Sequence, residues 1–393
     1  MHSLPYWRLS GYYFFHFAYI GAFLPYFSLY LLSIGFSAWD VGLLMSLMNV
    51  MRLFSPGIWG WLADRSGRRI AIIRLAGLVS LAGFTTFFWL RGFGSMMLVM
   101  GALTFFWSAA LPLVETLTFS HLREASGQYG RIRLWGSIGF ILAVLCTGAL
   151  LDFLPVDQVL TVCWLLAAGN FALALTLPEA APVACHGDHS GLLGLFRQKR
   201  VLALFAASFA MSAAHGVFYI FFSIHLAGLG YSKGEVGLLW TLGVLAEILI
   251  FLAMPRLIRR LSLRRILLLC FVAAILRFLL IGWGAGWVIL AVLAQLLHAL
   301  TFGAHHAASI AAVNAWFSGQ AQARGQAFYS SFSFGAGGLL GGLIGGWMWE
   351  SAGASWSFSV SAAFALAGLL LIAFGVSGGG DSGETGTASP QMR

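Results

Sequence analysis

The chain has 393 residues, of which 60% are hydrophobic and only 9% are charged, and its mean hydropathy is +0.88. Soluble domains carry roughly 25% charged residues, so this composition excludes a water-soluble globular protein. The net charge of +9 is compatible with nucleic acid binding, but only the positions of the basic residues can decide this.

Runs of about 20 mostly apolar residues, each long enough to cross a bilayer, predict an all-α membrane protein with twelve transmembrane helices. They cover residues 10–32, 41–62, 70–90, 96–119, 133–153, 158–177, 201–224, 236–254, 266–284, 287–314, 327–349 and 355–376. The first run begins after Arg8 and lacks a small-residue cleavage site, so we interpret it as an uncleaved span rather than a signal peptide.

The basic residues concentrate in alternate loops, after spans 2, 4, 6, 8 and 10, whereas only Arg91 and Lys233 fall in the other set. By the positive-inside rule, this distribution predicts that both termini are cytoplasmic. The positive charge therefore reflects membrane topology, and we expect the lipid bilayer rather than nucleic acid as its partner.

The chain contains an internal repeat at an offset of 195 residues. Residues 27–44 read FSLYLLSIGFSAWDVGLL and align without a gap with residues 222–239, which read FSIHLAGLGYSKGEVGLL. We predict a bundle of six helices over 1–178, a cytoplasmic linker over 179–199, a second bundle over 200–376 and a disordered tail over 377–393. Parallel six-helix repeats favour a carrier, because a substrate can bind between the halves near the bilayer midplane.

The loop after the second span, residues 60–69, reads GWLADRSGRR. It resembles the signature between helices 2 and 3 of the major facilitator superfamily. In that family the aspartate and arginines form a cytoplasmic network that breaks and re-forms during transport. The resemblance implies the twelve-helix major facilitator fold and a gating role for Asp64, Arg65, Gly67, Arg68 and Arg69. An ordinary charged loop is the alternative.

Two further runs resemble the phenylpropionate permease-like branch of this superfamily: YGRIRLWGS at residues 129–137 and GLLWTLGVLAEILIF at residues 237–251. The resemblance extends over nearly the whole chain and implies proton-coupled uptake, with aromatic acids as the namesake substrates. We add Arg131 and Arg133 to the gating residues. In the second half Arg259 stands where the aspartate of the loop signature would lie, so we expect the stronger network in the first half.

Four ionisable residues fall deep within the spans: Arg52, Glu115, Glu247 and Arg277. A charge at the bilayer centre costs at least about 2.5 to 3.5 kcal/mol, so each needs a partner, a water-filled space or a function. The repeat places Arg52 and Glu247 at equivalent positions, since 52 and 195 sum to 247. Either they form a pair between the halves that breaks during transport, or each finds its polar partners within its own half.

Glu115 follows Pro112 in span 4 and is a candidate for proton coupling, or else pairs with nearby cytoplasmic arginines. By analogy with the superfamily, spans 1, 4, 7 and 10 line the cavity, which adds His215 and His298 as titratable candidates. Tyr19 and Tyr219 are the best aromatic candidates, since a buried phenol needs a polar partner.

Three functions remain open at this point. The first is proton symport of a small organic solute, such as an aromatic acid, with Arg52 or Arg277 binding its anion. The second is proton-driven export of amphipathic compounds, and the third is a receptor or membrane enzyme without transport. No ATP-binding motif is present, so we expect an ion gradient as the energy source.

We expect a monomer that is not an enzyme and carries no cofactor or metal. Cys185, His186 and His189 lie in a loop and form a weak metal candidate at most. The four cysteines imply no disulfide framework.

Overall fold

A computed structural model describes residues 4–122, 128–180, 192–317 and 320–376. Within them, twelve helices are long and apolar enough to cross a membrane, as predicted. We number them α1 (Tyr6–Ser33), α2 (Ala38–Ser66), α3 (Arg69–Thr86), α4 (Phe93–Leu122), α5 (Tyr129–Phe153), α6 (Gln158–Thr176), α7 (Lys199–Gly228), α8 (Lys233–Arg260), α9 (Leu263–Gly284), α10 (Val288–Trp316), α11 (Arg324–Ala352) and α12 (Ala354–Gly375). A short helix, Leu192–Phe196, precedes α7. The predicted tail and most of the predicted linker lie outside the described residues.

The sequence repeat encodes two equivalent helix starts. Ser37 and Asp40 form a capping box at the start of α2, and Ser232 and Glu235 form the same box at the start of α8. The loops before them turn at glycines with positive φ, 96° at Gly35 and 95° at Gly230, a conformation that side-chain-bearing residues rarely adopt. The second helix of each half therefore begins in the same way, as the sequence repeat predicts.

The helices pack in matching ways in the two halves. In the first half α1 contacts α5 and α6, and in the second α7 contacts α11 and α12. The halves meet where α2 packs on α11 and where α5 packs on α8. Small residues permit this close approach: a Cβ atom added to Gly42 of α2 would lie 3.1 Å from the carbonyl oxygen of Gly342 in α11.

Three helices of the second half contain π-helical turns, at Leu280–Gly284 in α9, Ala299–Ala304 in α10 and Ser331–Gly337 in α11. Such turns are rare and are frequent at functional sites. The turn in α10 includes Thr301 and directly follows His298, one of the predicted titratable residues.

The two halves are joined at one end of the bundle. We call the end at which α1 begins and α12 ends the termini end, and the other the opposite end. At the opposite end, Tyr26 of α1 donates a hydrogen bond to the carbonyl oxygen of Val144 (2.9 Å) and lies 3.2 Å from that of Lys233 in α8. Glu350, at the end of α11, accepts a hydrogen bond from the backbone N–H of Trp39 in α2 (2.8 Å).

Candidate functional site

Arg277 of α9 is fully buried, with 0% of its surface exposed. Its Nε donates to the carbonyl oxygen of Ala294 at 3.0 Å, and its Nη1 lies 3.1 Å from Nε2 of His215 and 3.2 Å from Oγ1 of Thr301. Because Nδ1 of His215 faces the carbonyl oxygen of Met211 at 2.9 Å, Nδ1 is the donor and Nε2 accepts the proton of Arg277. The imidazole of His215 is therefore neutral in this arrangement.

Two aromatic rings lie beside the guanidinium of Arg277, whose Nη2 is buried without a hydrogen-bond partner. Its guanidinium carbon lies 4.2 Å from the ring centre of Phe218 and 5.3 Å from that of Phe278. Cation–π contacts of this kind are strongest where water is excluded. Arg277 thus joins α7, α9 and α10 from inside the second half, and the structure does not bring this predicted anion-binding residue to an exposed surface.

Oε2 of Glu247 in α8 lies 3.7 Å from Nε2 of His298 in α10, a distance at which the two groups form an ion pair when the imidazole is protonated. The side chain of Glu247 is 20% exposed, whereas that of His298 is only 8% exposed. The His298 ring stacks on Phe302 with centroids 5.4 Å apart and lies 5.9 Å from the ring of His215. Glu247 therefore connects a chain of buried titratable groups to a surface that solvent can reach.

Arg52 of α2 is exposed, in contrast to Arg277. It lies within electrostatic range of Tyr219 in α7, and so does Glu247. The ring of Tyr219 is 5.9 Å from that of His215 and stacks on Trp240 at 6.1 Å. Arg52 of the first half and Glu247 of the second half therefore lie near the same tyrosine, and we call the region around these three side chains the space between the halves. Within the described residues Arg52 and Glu247 form no ion pair within 4.0 Å.

Arg133 of α5 belongs to the same space, although the sequence assigned it to gating. It is half-buried, with its guanidinium carbon 3.8 Å from the ring centre of Phe17, and lies within electrostatic range of both Glu247 and Glu115. Glu115 itself is half-buried and accepts a hydrogen bond from the hydroxyl of Tyr129 at 3.2 Å. The structure thus brings Glu115 together with Arg133 at the termini side of the space.

Tyr19 lies elsewhere, inside the first half. It is 2% exposed, and its ring centre is 4.3 Å from that of Trp107. Trp107 also stacks on His16 at 4.6 Å with the rings nearly parallel. Tyr19 therefore packs within the aromatic core of the first half rather than beside Arg52.

The predicted gating residues lie at the termini end. Asp64, Arg65, Gly67, Arg68 and Arg131 are exposed, whereas Arg69 is buried and donates from Nη1 to Oγ of Ser120 at 3.2 Å. Gly67 ends α2 with φ of 63°. In the part of the chain that the structure describes, Asp64 forms no ion pair within 4.0 Å. Their gating role stays a prediction, and this conformation holds the halves together at the opposite end instead.

Sequence reasoning missed several residues of the site. Thr301 and Phe302 follow His298 by three and four positions, so helical spacing alone could have found them. Phe218 gave no separate signal within the aromatic run of α7. The structure holds no cluster of three or more His, Cys, Asp or Glu residues suited to a metal among the described residues, and the loop with Cys185, His186 and His189 lies outside them.

Comparisons with known proteins connect this geometry to a family. The profile of the MFS_1 like family matches residues 6–360. The chain is 30% identical over 356 residues to a probable 3-phenylpropionic acid transporter of Escherichia coli strain K12, covering 88% of this chain and 92% of the relative. It is also 30% identical over 272 residues to a maltose permease of Geobacillus stearothermophilus, covering 68% of each chain.

The fold agrees with a solved transporter. A mutant of the nucleoside transporter NupG superposes with a TM-score of 0.86 at 20% identity, over 95% of this chain and 100% of that chain. The predicted major facilitator fold and the resemblance to a phenylpropionate permease are thereby confirmed. The chain is a multi-pass membrane protein that belongs to the MFS_1 like family of the major facilitator superfamily, and it is a transporter rather than an enzyme.

Proposed function

We propose that this protein is a proton symporter that carries a small organic acid, with an aromatic ring, into the cell by alternating access. The observation that carries the proposal is the joint placement of Arg52, Tyr219 and the Glu247–His298 pair around the space between the halves. An exposed cation, aromatic rings and a titratable pair are the three groups that such a substrate and its proton require.

Arg52 is the proposed contact for the substrate carboxylate. A guanidinium binds a carboxylate through two parallel hydrogen bonds, and Arg52 is exposed whereas Arg277 already donates to three acceptors. Arg133 is a second cation near the same space. The half-buried rings of Tyr219 and Phe302 would contact the ring of the substrate.

Glu247 and His298 are the proposed proton carriers. The partly exposed carboxylate of Glu247 can take a proton from solvent, and its partner His298 can hold one while the carboxylate is ionised. Neutralising Glu247 would weaken its attraction to Arg133 across the two halves, so proton binding can be linked to their relative movement. Glu115 is an alternative carrier at the termini side.

The proposed orientation follows from the basic loops. By the positive-inside rule these loops support cytoplasmic termini in a bacterial cell, and we propose that the protein is a monomer in the inner membrane. In this orientation the opposite end is periplasmic, and the hydrogen bonds between the halves there, from Tyr26 to Lys233 and from Trp39 to Glu350, are those of a carrier closed to the outside.

The name of the Escherichia coli relative, a probable 3-phenylpropionic acid transporter, supports the choice of an aromatic acid. The experiment is uptake of radiolabelled 3-phenylpropionate by proteoliposomes that contain the purified protein, relative to protein-free vesicles. We expect accumulation when the outside is acidic. Accumulation driven only by an acidic interior would instead indicate a proton-antiport exporter, and binding without any counterflow would overturn transport of this acid.

A further inference from the structure

A basic pocket lies at the termini end, away from the space between the halves. It encloses about 510 Å³ between the starts of α7 and α9 and the end of α12, and Gln198, Lys199, Arg200, Arg264, Ala373 and Phe374 line it. Along α9, Arg264 is about 20 Å from Arg277, counted at 1.5 Å per residue. The pocket is therefore separate from the proposed transport site.

The pocket carries three positive charges and no acidic side chain in its lining. Among the described residues, Lys199, Arg200 and Arg264 form no ion pair within 4.0 Å. Arg264 donates from Nη2 to the carbonyl oxygen of Ala373 at 2.9 Å, but its Nε is buried without a hydrogen-bond partner. With three cations and no acidic side chain in its lining, the pocket suits an anion with several oxygen acceptors.

The start of α7 adds to the positive electrostatic potential of the pocket. The helix begins at Lys199 after Gln198, whose side chain does not cap it. Instead, Oε1 of Gln198 accepts a hydrogen bond from Nε of Arg200 at 3.1 Å. The free backbone N–H groups of a helix start favour phosphate, which strengthens the case made by the three cations.

An apolar surface adjoins the cationic one. Phe374, in the pocket wall, is 77% exposed, and Leu202, on the first turn of α7, is 54% exposed. Arg200 lies over the ring of Trp316 at 5.1 Å, in the position of an interfacial tryptophan. A soluble phosphate would use only the cations, whereas a phospholipid would use both surfaces.

We propose that this pocket binds the headgroup phosphate of an anionic phospholipid, with an acyl chain along Phe374. Basic pockets between transmembrane helices at the cytoplasmic surface recognise such headgroups, because the anionic leaflet supplies the ligand at the depth of the pocket. The lipid would tie together α7, α9 and α12 of the second half. This inference is independent of the substrate that the protein carries.

The test measures binding of phosphatidylglycerol to the full chain in detergent by native mass spectrometry, with phosphatidylcholine, which is zwitterionic and has no net charge, as the comparison. The pocket variant is Arg200→Gln with Arg264→Gln. The control, Arg259→Gln with Arg260→Gln, removes the same charge from exposed residues outside the pocket. We expect the pocket variant to bind phosphatidylglycerol at least about tenfold more weakly and the control to bind as the wild type does.

Two further measurements identify the source of the anion. The chain truncated after Val376 lacks Asp381 and Glu384, which follow the pocket in sequence. The proposal predicts equal lipid binding by the truncated and full chains. Tighter lipid binding after truncation would indicate that the acidic tail is the occupant of the pocket. Displacement of the lipid by inorganic phosphate would indicate that the pocket binds a soluble anion. If the double variant unfolds, Lys199→Gln with Arg200→Gln replaces it, and unchanged lipid binding by that variant overturns the proposal.

Discussion

Asp152, at the end of α5, accepts a hydrogen bond from the backbone N–H of Lys233, the first residue of α8, at 2.7 Å, and another from Gly234 at 3.0 Å. Glu350, at the end of α11, makes the equivalent contact with Trp39 in α2, since 39 and 195 sum to 234. Each carboxylate thus neutralises the positive start of a helix in the other half. The two contacts hold the opposite end of the carrier closed and must break when it opens.

Replacing Asp152 with Asn removes the negative charge at this contact while keeping the side-chain volume. We expect hydrogen exchange at the amides of Lys233 and Gly234 to become about twofold to fivefold faster, because the closed form loses a charge–dipole interaction. Asp157→Asn, an equal charge change in the following loop, is the control. Equal exchange rates in the two variants would show that Asp152 does not hold the halves together.

Gly341 lies where α11 crosses α7, and an added Cβ would overlap the backbone carbonyl of Ala213. We expect Gly341→Ala to destabilise the protein by about 1–3 kcal/mol through overpacking. Gly57 of α2 has nothing within 4 Å of its Cβ position, so Gly57→Ala is the matched control and should leave stability equal or higher. The melting temperatures of the two variants in detergent decide this, and equal values would contradict the packing role of Gly341.

Arg277 is expected to be structural. Arg277→Met leaves the carbonyl oxygen of Ala294 and Nε2 of His215 without their donor, so we expect a loss of about 2–4 kcal/mol in stability. Arg265→Met, at the exposed start of the same helix, should melt as the wild type does. An Arg277→Met protein that melts normally but no longer binds 3-phenylpropionate would make Arg277 the anion contact instead.

Arg52→Gln should weaken binding of 3-phenylpropionate at least about tenfold, because a charge-assisted pair with the carboxylate is lost. The neutral analogue 3-phenylpropionamide should bind wild type and variant equally, and Arg260→Gln should change neither ligand. Isothermal titration calorimetry on the purified proteins makes the comparison. If the acid binds to Arg52→Gln as tightly as to the wild type, the carboxylate is held elsewhere, and Arg133 becomes the next candidate.

The twelve spans were predictable because burial in lipid demands long apolar helices, and the repeat revealed their division into halves. The helices extend beyond the apolar windows, as α2 does at Ala38–Ser66, because capping boxes and basic ends belong to the helix without being apolar. The π-helical turns were not predictable, since they depend on packing between helices rather than on local composition.

The site was predictable in its residue types but not in their directions. Arg52 and Arg277 look alike in sequence, as deep cations in apolar helices, yet one faces the space between the halves and the other is fully buried. The rotation of each helix about its own axis determines where its side chains point, and tertiary contacts set that rotation. Tyr19, in the core of the first half, and Tyr219, near Arg52 and Glu247, differ in location for the same reason. The contacts of Asp152 and Glu350 were missed because the offset of 195 relates the helix starts at Trp39 and Gly234 but does not relate the two carboxylates.

Glu247 is the proposed carrier of the proton that moves with the substrate. The most direct measurement is the internal pH of proteoliposomes, read with a trapped dye after 3-phenylpropionate is added outside, relative to protein-free vesicles. Wild type and Glu235→Gln, an exposed carboxylate at the start of the same helix, should acidify the interior as the acid enters. Glu247→Gln should exchange labelled for unlabelled acid but acidify no more than empty vesicles. Acidification by Glu247→Gln at the wild-type rate would contradict the account.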